Sequence, residues 1–279
     1  MNGNNKFHNK ITLEFNKKSK HSLSHGEFNG NSIHVVDMKD SRSLALLEEA
    51  YRDVYVPAFP FAEERESLSD WTKTLMGESK NCNIVIVIIG RDFESANPDI
   101  KGVSVAYYYH KVDTGLLAYN AIAPKARNEG LGHVMVEARK QALLHLAQMN
   151  GQKLKGIFLE CNDPAKVKPE EDSIDPATRI KIFQKWGARV IPINYVQPAL
   201  EKGGAKFYKF MLMSYPHPKT GRHPSTAAVS SFITGIYQAC ADHSGGPRPA
   251  DDPDYVRTMI QLQAMKPVTK NPRLLPPSL

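Results

Sequence analysis

The chain has 279 residues, 41% of them hydrophobic, and 36 Lys and Arg against 29 Asp and Glu give a formal net charge of +7. That length holds one large domain or one medium domain with extensions, and the apolar fraction can fill a real core. No apolar run reaches about 18 residues, so no membrane-spanning helix is expected, and the polar, basic start without an apolar h-region reads against a secretory signal.

The three cysteines, Cys82, Cys161 and Cys240, are odd in number and far apart. That usage fits a reducing cytoplasm rather than a disulfide scaffold. No CxxC pair occurs, and His21 and His25 lack partner ligands, so no metal site is expected. Excess positive charge favours anionic partners. Here it is spread along the chain without a base-reading motif, and nucleic acid is not expected as a partner.

Residues 1–30, rich in Asn, Lys, His, Ser and Gly, read as a disordered polar and basic tail. SIHVVDM (32–38) alternates as a strand. SRSLALLEEAYRDVYVPAF (41–59) carries apolar residues at helical spacing, and EERESLSDWTKTLMG (63–77) is a second helix ended by Gly77. CNIVIVIIG (82–90) is nearly all β-branched and predicts a strand buried on both faces. KGVSVAYYYH (101–110) and TGLLAYNAIAP (114–124) predict a hairpin. A long helix runs through residues 133–151 with Gly151 closing it, and GIFLECN (156–162) is the next strand. A charged, proline-punctuated loop precedes the helix ATRIKIFQKWG (177–187). ARVIPINYVQ (188–197) and KFYKFMLMSYP (206–216) predict two last strands. Beyond a linker, residues 225–240 and 252–265 predict helices. The first has an apolar face of Val229, Phe232, Ile233 and Ile236, suited to docking on the domain's own surface. KPVTKNPRLLPPSL closes the chain as a proline-rich tail.

This order fits several mixed α/β folds. The segment APKARNEGLGHVMVEA (123–138) narrows it. A helix N-terminus presents unpaired N–H groups and the positive end of a dipole, and glycines there let a phosphate approach the backbone. The segment is neither a Walker A loop nor G-x-G-x-x-G. Close helix–sheet packing is the other use of its two glycines.

IAPKARNEGLG (122–132) resembles the signature of the GCN5-related N-acetyltransferases (GNAT): an apolar residue, any residue, Pro, two more, then [Q/R]-x-x-G-x-[G/A]. The matching positions are Ile122, Pro124, Arg127, Gly130 and Gly132. The resemblance covers about residues 32–215. It implies a mixed, mostly antiparallel central sheet flanked by helices over residues 31–216, with residues 217–279 as a C-terminal helical extension and proline-rich tail. It also implies acetyl-CoA as acyl donor, without a metal. Arg127, Asn128, Glu129, Gly130, Leu131 and Gly132 would hold its pyrophosphate, with His133 opening the helix. Ala121, Ile122 and Ala123 would bond the pantetheine as an added strand does, beside a slot opened where 156–162 splays away. Asn162 matches a frequent CoA-contacting asparagine.

The resemblance implies direct acetyl transfer to a primary amine, on a small molecule or a protein lysine. Such transfer needs a base for the ammonium and tolerates or protonates the leaving thiolate. The family's usual acid, a tyrosine, is replaced by Phe183 in KIFQKWGAR. Tyr195 is the first substitute, ahead of Tyr208 and Tyr119. Glu160 is the candidate base. Glu129 belongs to the phosphate turn, and Cys161 reads as a buried structural thiol. Two acidic clusters, Glu63, Glu64 and Glu66, and Glu170, Glu171, Asp172 and Asp175, form an expected rim for a cationic acceptor. Phe183 keeps one alternative open: a non-catalytic acyl-CoA-binding regulatory module.

Overall fold

The computed structural model describes residues 13–14, 26–61 and 65–265. The His21/His25 pair, Glu63, Glu64 and the end of the chain from residue 266 lie outside them. The fold is mixed α/β. Eight strands form one sheet in the order β1-β2-β3-β4-β5-β6-β8-β7. They are β1 (Gly26–Phe28), β2 (Asn31–Val35), β3 (Cys82–Arg91), β4 (Asp99–Tyr109), β5 (Thr114–Ile122), β6 (Gly156–Asn162), β7 (Arg189–Val190) and β8 (Phe210–Tyr215). Every neighbouring pair is antiparallel except β5 and β6.

The helices are α1 (Ser41–Ala50), α2 (Leu68–Leu75), α3 (Leu131–Met149), α4 (Pro176–Lys185), α5 (Thr226–Ser244) and α6 (Pro253–Ala264). Side-chain oxygens of Asp40, Ser67, Asp175, Ser225 and Asp252 cap α1, α2, α4, α5 and α6. Such caps satisfy N–H groups that the first turn leaves unpaired. α1 runs on through a π-helical turn, Tyr51–Tyr55, into Val56–Ala58.

The β-branched run of β3 buries both of its faces, as its composition predicts. One side chain set, Val85 and Val87 with Ala106, Leu117, Leu159 and Met213, packs under α3. The opposite face is shared. α1 and α2 cover Ile84, Ile86, Val103 and Val105. α5 covers Tyr109, Leu116, Phe158 and Leu212, with Phe232 stacked on Phe158 at 4.3 Å. The C-terminal helices therefore dock on the chain's own sheet, through the apolar face expected for them.

Two expectations change. β1 falls inside the stretch read as a polar tail, because Asn29 and Gly30, both at positive φ, turn it back onto β2. The strand expected over 188–197 keeps only two residues. Pro192 has no N–H to donate, and the chain beyond it pairs through one bridge, Gln197 with Phe207.

Candidate active site

β5 and β6 pair only over Thr114–Leu116 and Gly156–Phe158, then separate. A β-bulge sits at the fork. Leu117 lies opposite Ala106 and Tyr119 opposite Val105, so Ala118 is the extra residue. Bulges bend a strand and end its pairing. This one is held by Arg139 of α3, whose Nη1 donates to the carbonyls of Val105 and Tyr119, both at 2.9 Å. The guanidinium is 2% exposed, and burial pushes its pKa down to about 9, which leaves it cationic at neutral pH. A cleft of about 1440 Å³ passes through the fork, with Ala118, Asn120, Ile122 and Glu160 in its walls and the 127–133 turn at one end.

That turn is built to expose backbone. Asn128 and Gly130 stand at φ +68° and +80°. No side chain caps α3, and the helix's first hydrogen bond runs from Val134 N–H to Gly130 O. The N–H groups of Leu131, Gly132 and His133 therefore lack intrahelical acceptors. The Leu131 side chain is buried in the core, which leaves its backbone to the cleft. The two glycines differ. A Cβ on Gly130 would meet nothing within 4 Å, whereas one on Gly132 would lie 3.0 Å from the Trp186 ring. Packing thus accounts for Gly132, and an exposed left-handed turn accounts for Gly130. Around them, Arg127 is exposed, Glu129 pairs with Lys101 at 3.1 Å, and His133 stacks on Trp186. Burial lowers the His133 pKa and favours its neutral form.

Of the three strand residues expected at the slot, Ala123 commits its N–H to Lys101 O. Antiparallel alternation puts Ala121 on that same edge and turns the backbone of Ile122 and Asn120 toward the opening. Asn120 donates to Gly132 O, yet its Oδ1 is buried without a partner. Asn162, at the end of β6, donates to Asp172, and its Oδ1 is likewise buried and unpartnered. Buried acceptors without donors are rare and call for an explanation.

Glu160 and Tyr195, 35 residues apart in sequence, meet. The Tyr195 hydroxyl donates to Glu160 Oε1 at 2.5 Å, and Gln197 Nε2 donates to Oε2 at 2.8 Å. Burial raises the Glu160 pKa to about 7, while these two donors pull it down. Tyr195 is 1% exposed and absent from the cleft walls. Its hydroxyl is committed to Glu160. Tyr208 is exposed and donates to Asp254; Tyr119 sits among Tyr55, Phe59 and Trp71. Cys161 is buried, which raises its pKa to about 11 and keeps it an inert thiol. Phe183 lines the cleft. So does Tyr215 of β8, whose hydroxyl is buried without a partner. Burial lifts that phenol's pKa, against the opposing charge of Arg139.

Gln197, Asn120, Arg139 and Tyr215 escaped the sequence reading. Only Gln197, two residues beyond Tyr195, carried a signal there, since alternate residues of an extended chain share a face.

Four of the acids expected at the rim are engaged by other groups, while Glu170 is exposed. Asp172 is paired with Arg179 at 2.5 Å, Glu171 reaches Lys209, and Asp175 caps α4. Glu66 turns inward, where its carboxylate accepts from Trp71 Nε1 at 2.8 Å and from the Tyr107 hydroxyl. Among the described residues no group of three potential metal ligands occurs, and no helix is long and apolar enough to cross a membrane.

No family model matches the chain, nor does any curated protein. Solved structures similar to it are acetyltransferases of the GNAT family. A protein from Bacteroides thetaiotaomicron assigned to that family is 21% identical, over 66% of this chain and 85% of that one, with a TM-score of 0.43. A GNAT family acetyltransferase from Elizabethkingia anophelis, with acetyl-CoA bound, is 15% identical over 67% and 99%, at 0.40. The ribosomal-protein-S18-alanine N-acetyltransferase from Escherichia coli is 14% identical over 68% and 96%, also at 0.40.

Proposed function

We propose that the protein is an acetyl-CoA-dependent N-acetyltransferase that moves an acetyl group directly to a primary amine. The observation that carries this reading is a carboxylate, Glu160, placed at the fork of two splayed strands with a pKa raised to about 7. A general base works best when its pKa lies near the working pH.

The residues present fit acetyl-CoA, which when bound supplies an activated acyl group. The uncapped N–H groups of residues 131–133 and the open space over Gly130 suit a pyrophosphate. The edge of β5 at Asn120 and Ile122 suits an added extended arm. The unpartnered Oδ1 of Asn120, in the cleft wall, suits one of its amide N–H groups, whereas Asn162 lies outside the cleft walls. Glu160 accepts the proton of the incoming ammonium, held in place by Tyr195 and Gln197. Tyr215 holds its own proton and is the cleft phenol able to deliver one to a leaving thiolate, the part Phe183 lacks the hydroxyl to play. The acceptor is an amine, on a small molecule or a protein lysine, and the free cysteines agree with a cytoplasmic setting.

The first test is calorimetry with acetyl-CoA, wild type beside Gly130→Glu, followed by free-thiol release with a panel of amines. Binding weakened at least tenfold in the variant, with thiol release in the wild type, is expected. No binding by the wild type would overturn the reading. Binding without thiol release on any amine would leave an acyl-CoA-binding module.

A further inference from the structure

Glu160 owes its position to a segment that belongs to neither the sheet nor the helices beside it. Residues 191–208 form a loop closed on itself by the paired backbones of Gln197 and Phe207. Tyr195 and Gln197 project from this loop to Glu160. Nothing in an irregular loop fixes two side chains on one carboxylate to a few tenths of an ångström. Something outside it must.

The structure shows what does. On α5, the Tyr237 hydroxyl donates to the carbonyl of Val196, the residue between Tyr195 and Gln197, at 2.9 Å in a buried contact. On α6, Gln261 Oε1 accepts from Asn194 N–H, the residue before Tyr195, at 2.8 Å. Further along the loop, Lys206 bridges Asp252 at 2.6 Å and Asp254 at 2.7 Å, at the start of α6. The three attachments flank the two donors on both sides. Apolar contact reinforces them, since Ile191 and Tyr195 share one buried cluster with Ile233, Ile236 and Leu262.

We propose that the C-terminal helical extension is part of the acetyl-transfer site: Tyr237 and Gln261 are positioning residues that keep Tyr195 and Gln197 on Glu160. The inference rests on the reading of Glu160 as the base, but its test reads Glu160 directly and does not depend on an acceptor. Tyr237 and Gln261 touch no substrate and act through the loop.

The donors stabilise the ionised carboxylate, so loosening them lets burial raise its pKa further. The other titratable groups that feel the Glu160 charge are Glu66, Tyr109 of β4, Tyr119 of β5 and Cys240 of α5. Burial raises the pKa values of all four, and none of them changes in the variants proposed here.

The experiment is a pH titration of the full-length protein labelled with carbon-13 at the glutamate carboxylates, with Glu160→Gln to assign the resonance. The midpoint is expected to rise by about one unit in Tyr195→Phe and by a measurable part of that in Tyr237→Phe and Gln261→Ala. Val229→Ala is the control. It opens a cavity on the buried face of α5 without touching the clamp, and is expected to lower the melting temperature and leave the midpoint in place. A midpoint that moves in Tyr195→Phe but not in Tyr237→Phe or Gln261→Ala would overturn the clamp and spare the base. A midpoint that moves as far in Val229→Ala would reduce the clamp to general stability and overturn it too. Failure of the base reading shows separately, as full acetyl transfer by Glu160→Gln.

Discussion

The Tyr195 hydroxyl sits 2.5 Å from Glu160 Oε1, and this contact turns a strand residue into a held one. A half-buried carboxylate with two donors is oriented, yet still titrates near neutrality, because burial and hydrogen bonding pull its pKa in opposite directions. The chemistry assigned to the site follows from that balance.

Glu160→Gln removes the proposed base and keeps the shape. Acetyl transfer is expected to fall by roughly 10²- to 10³-fold in kcat. The acetyl-CoA dissociation constant should stay within twofold, as read by calorimetry. In the wild type the acid limb of the kcat/KM profile should lie near pH 7 and vanish in the variant.

The same group makes stability depend on pH. In the unfolded chain Glu160 titrates near 4.5, and in the fold near 7. The folded state therefore keeps this proton to higher pH. The stability tied to it is complete below about pH 4.5 and is lost as pH rises through 7, on the order of 3 kcal/mol. Denaturant melts at pH 5 and pH 8 should show Glu160→Gln gaining on the wild type at the higher pH. An unchanged difference between the two pH values would contradict the raised pKa.

Tyr215→Phe tests the proposed proton donor. The hydroxyl has no partner to lose, so little stability should be lost with it. Turnover is expected to fall by about 10- to 100-fold with the acceptor KM unchanged. Equal kcat in mutant and wild type would mean that the thiolate leaves without this phenol.

Arg139→Met should cost structure before chemistry. It leaves the Val105 and Tyr119 carbonyls unsatisfied in the core, at roughly 1–3 kcal/mol each. A fall in melting temperature is expected, together with weaker acetyl-CoA binding as the fork closes. A melting temperature equal to the wild type would show that the bulge stands without its cation.

The glycine turn, the strands from β2 to β6 and the docking of the C-terminal helices were legible because each rests on local pattern: a left-handed turn, β-branched runs, an apolar helix face. Glu160 and Tyr195 were legible as candidates, but their contact was not, since it depends on a loop whose shape α5 and α6 impose. The pairing of the acidic rim was hidden for a related reason. Composition shows that Asp172 and Glu171 are charged; it does not show that Arg179 and Lys209 already neutralise them. Orphaned atoms such as Asn120 Oδ1 and Tyr215 Oη are invisible to any reading that lacks the neighbours.

Ala118 also gives β5 a change of phase. Up to Leu117, odd-numbered residues point under α3; from Tyr119 on, they point toward α1 and α2. The text LLAYNAIA, apolar but for Asn120 and the hydroxyl of Tyr119, is thus two alternating patterns spliced one residue out of step. Deleting that single alanine would restore simple alternation with Tyr119, Asn120 and Ala121 still on their present sides of the sheet, and would remove the bend at the fork. A substitution at Ala118 changes one side chain; its deletion would leave the facing of the strand intact and straighten β5 where it parts from β6.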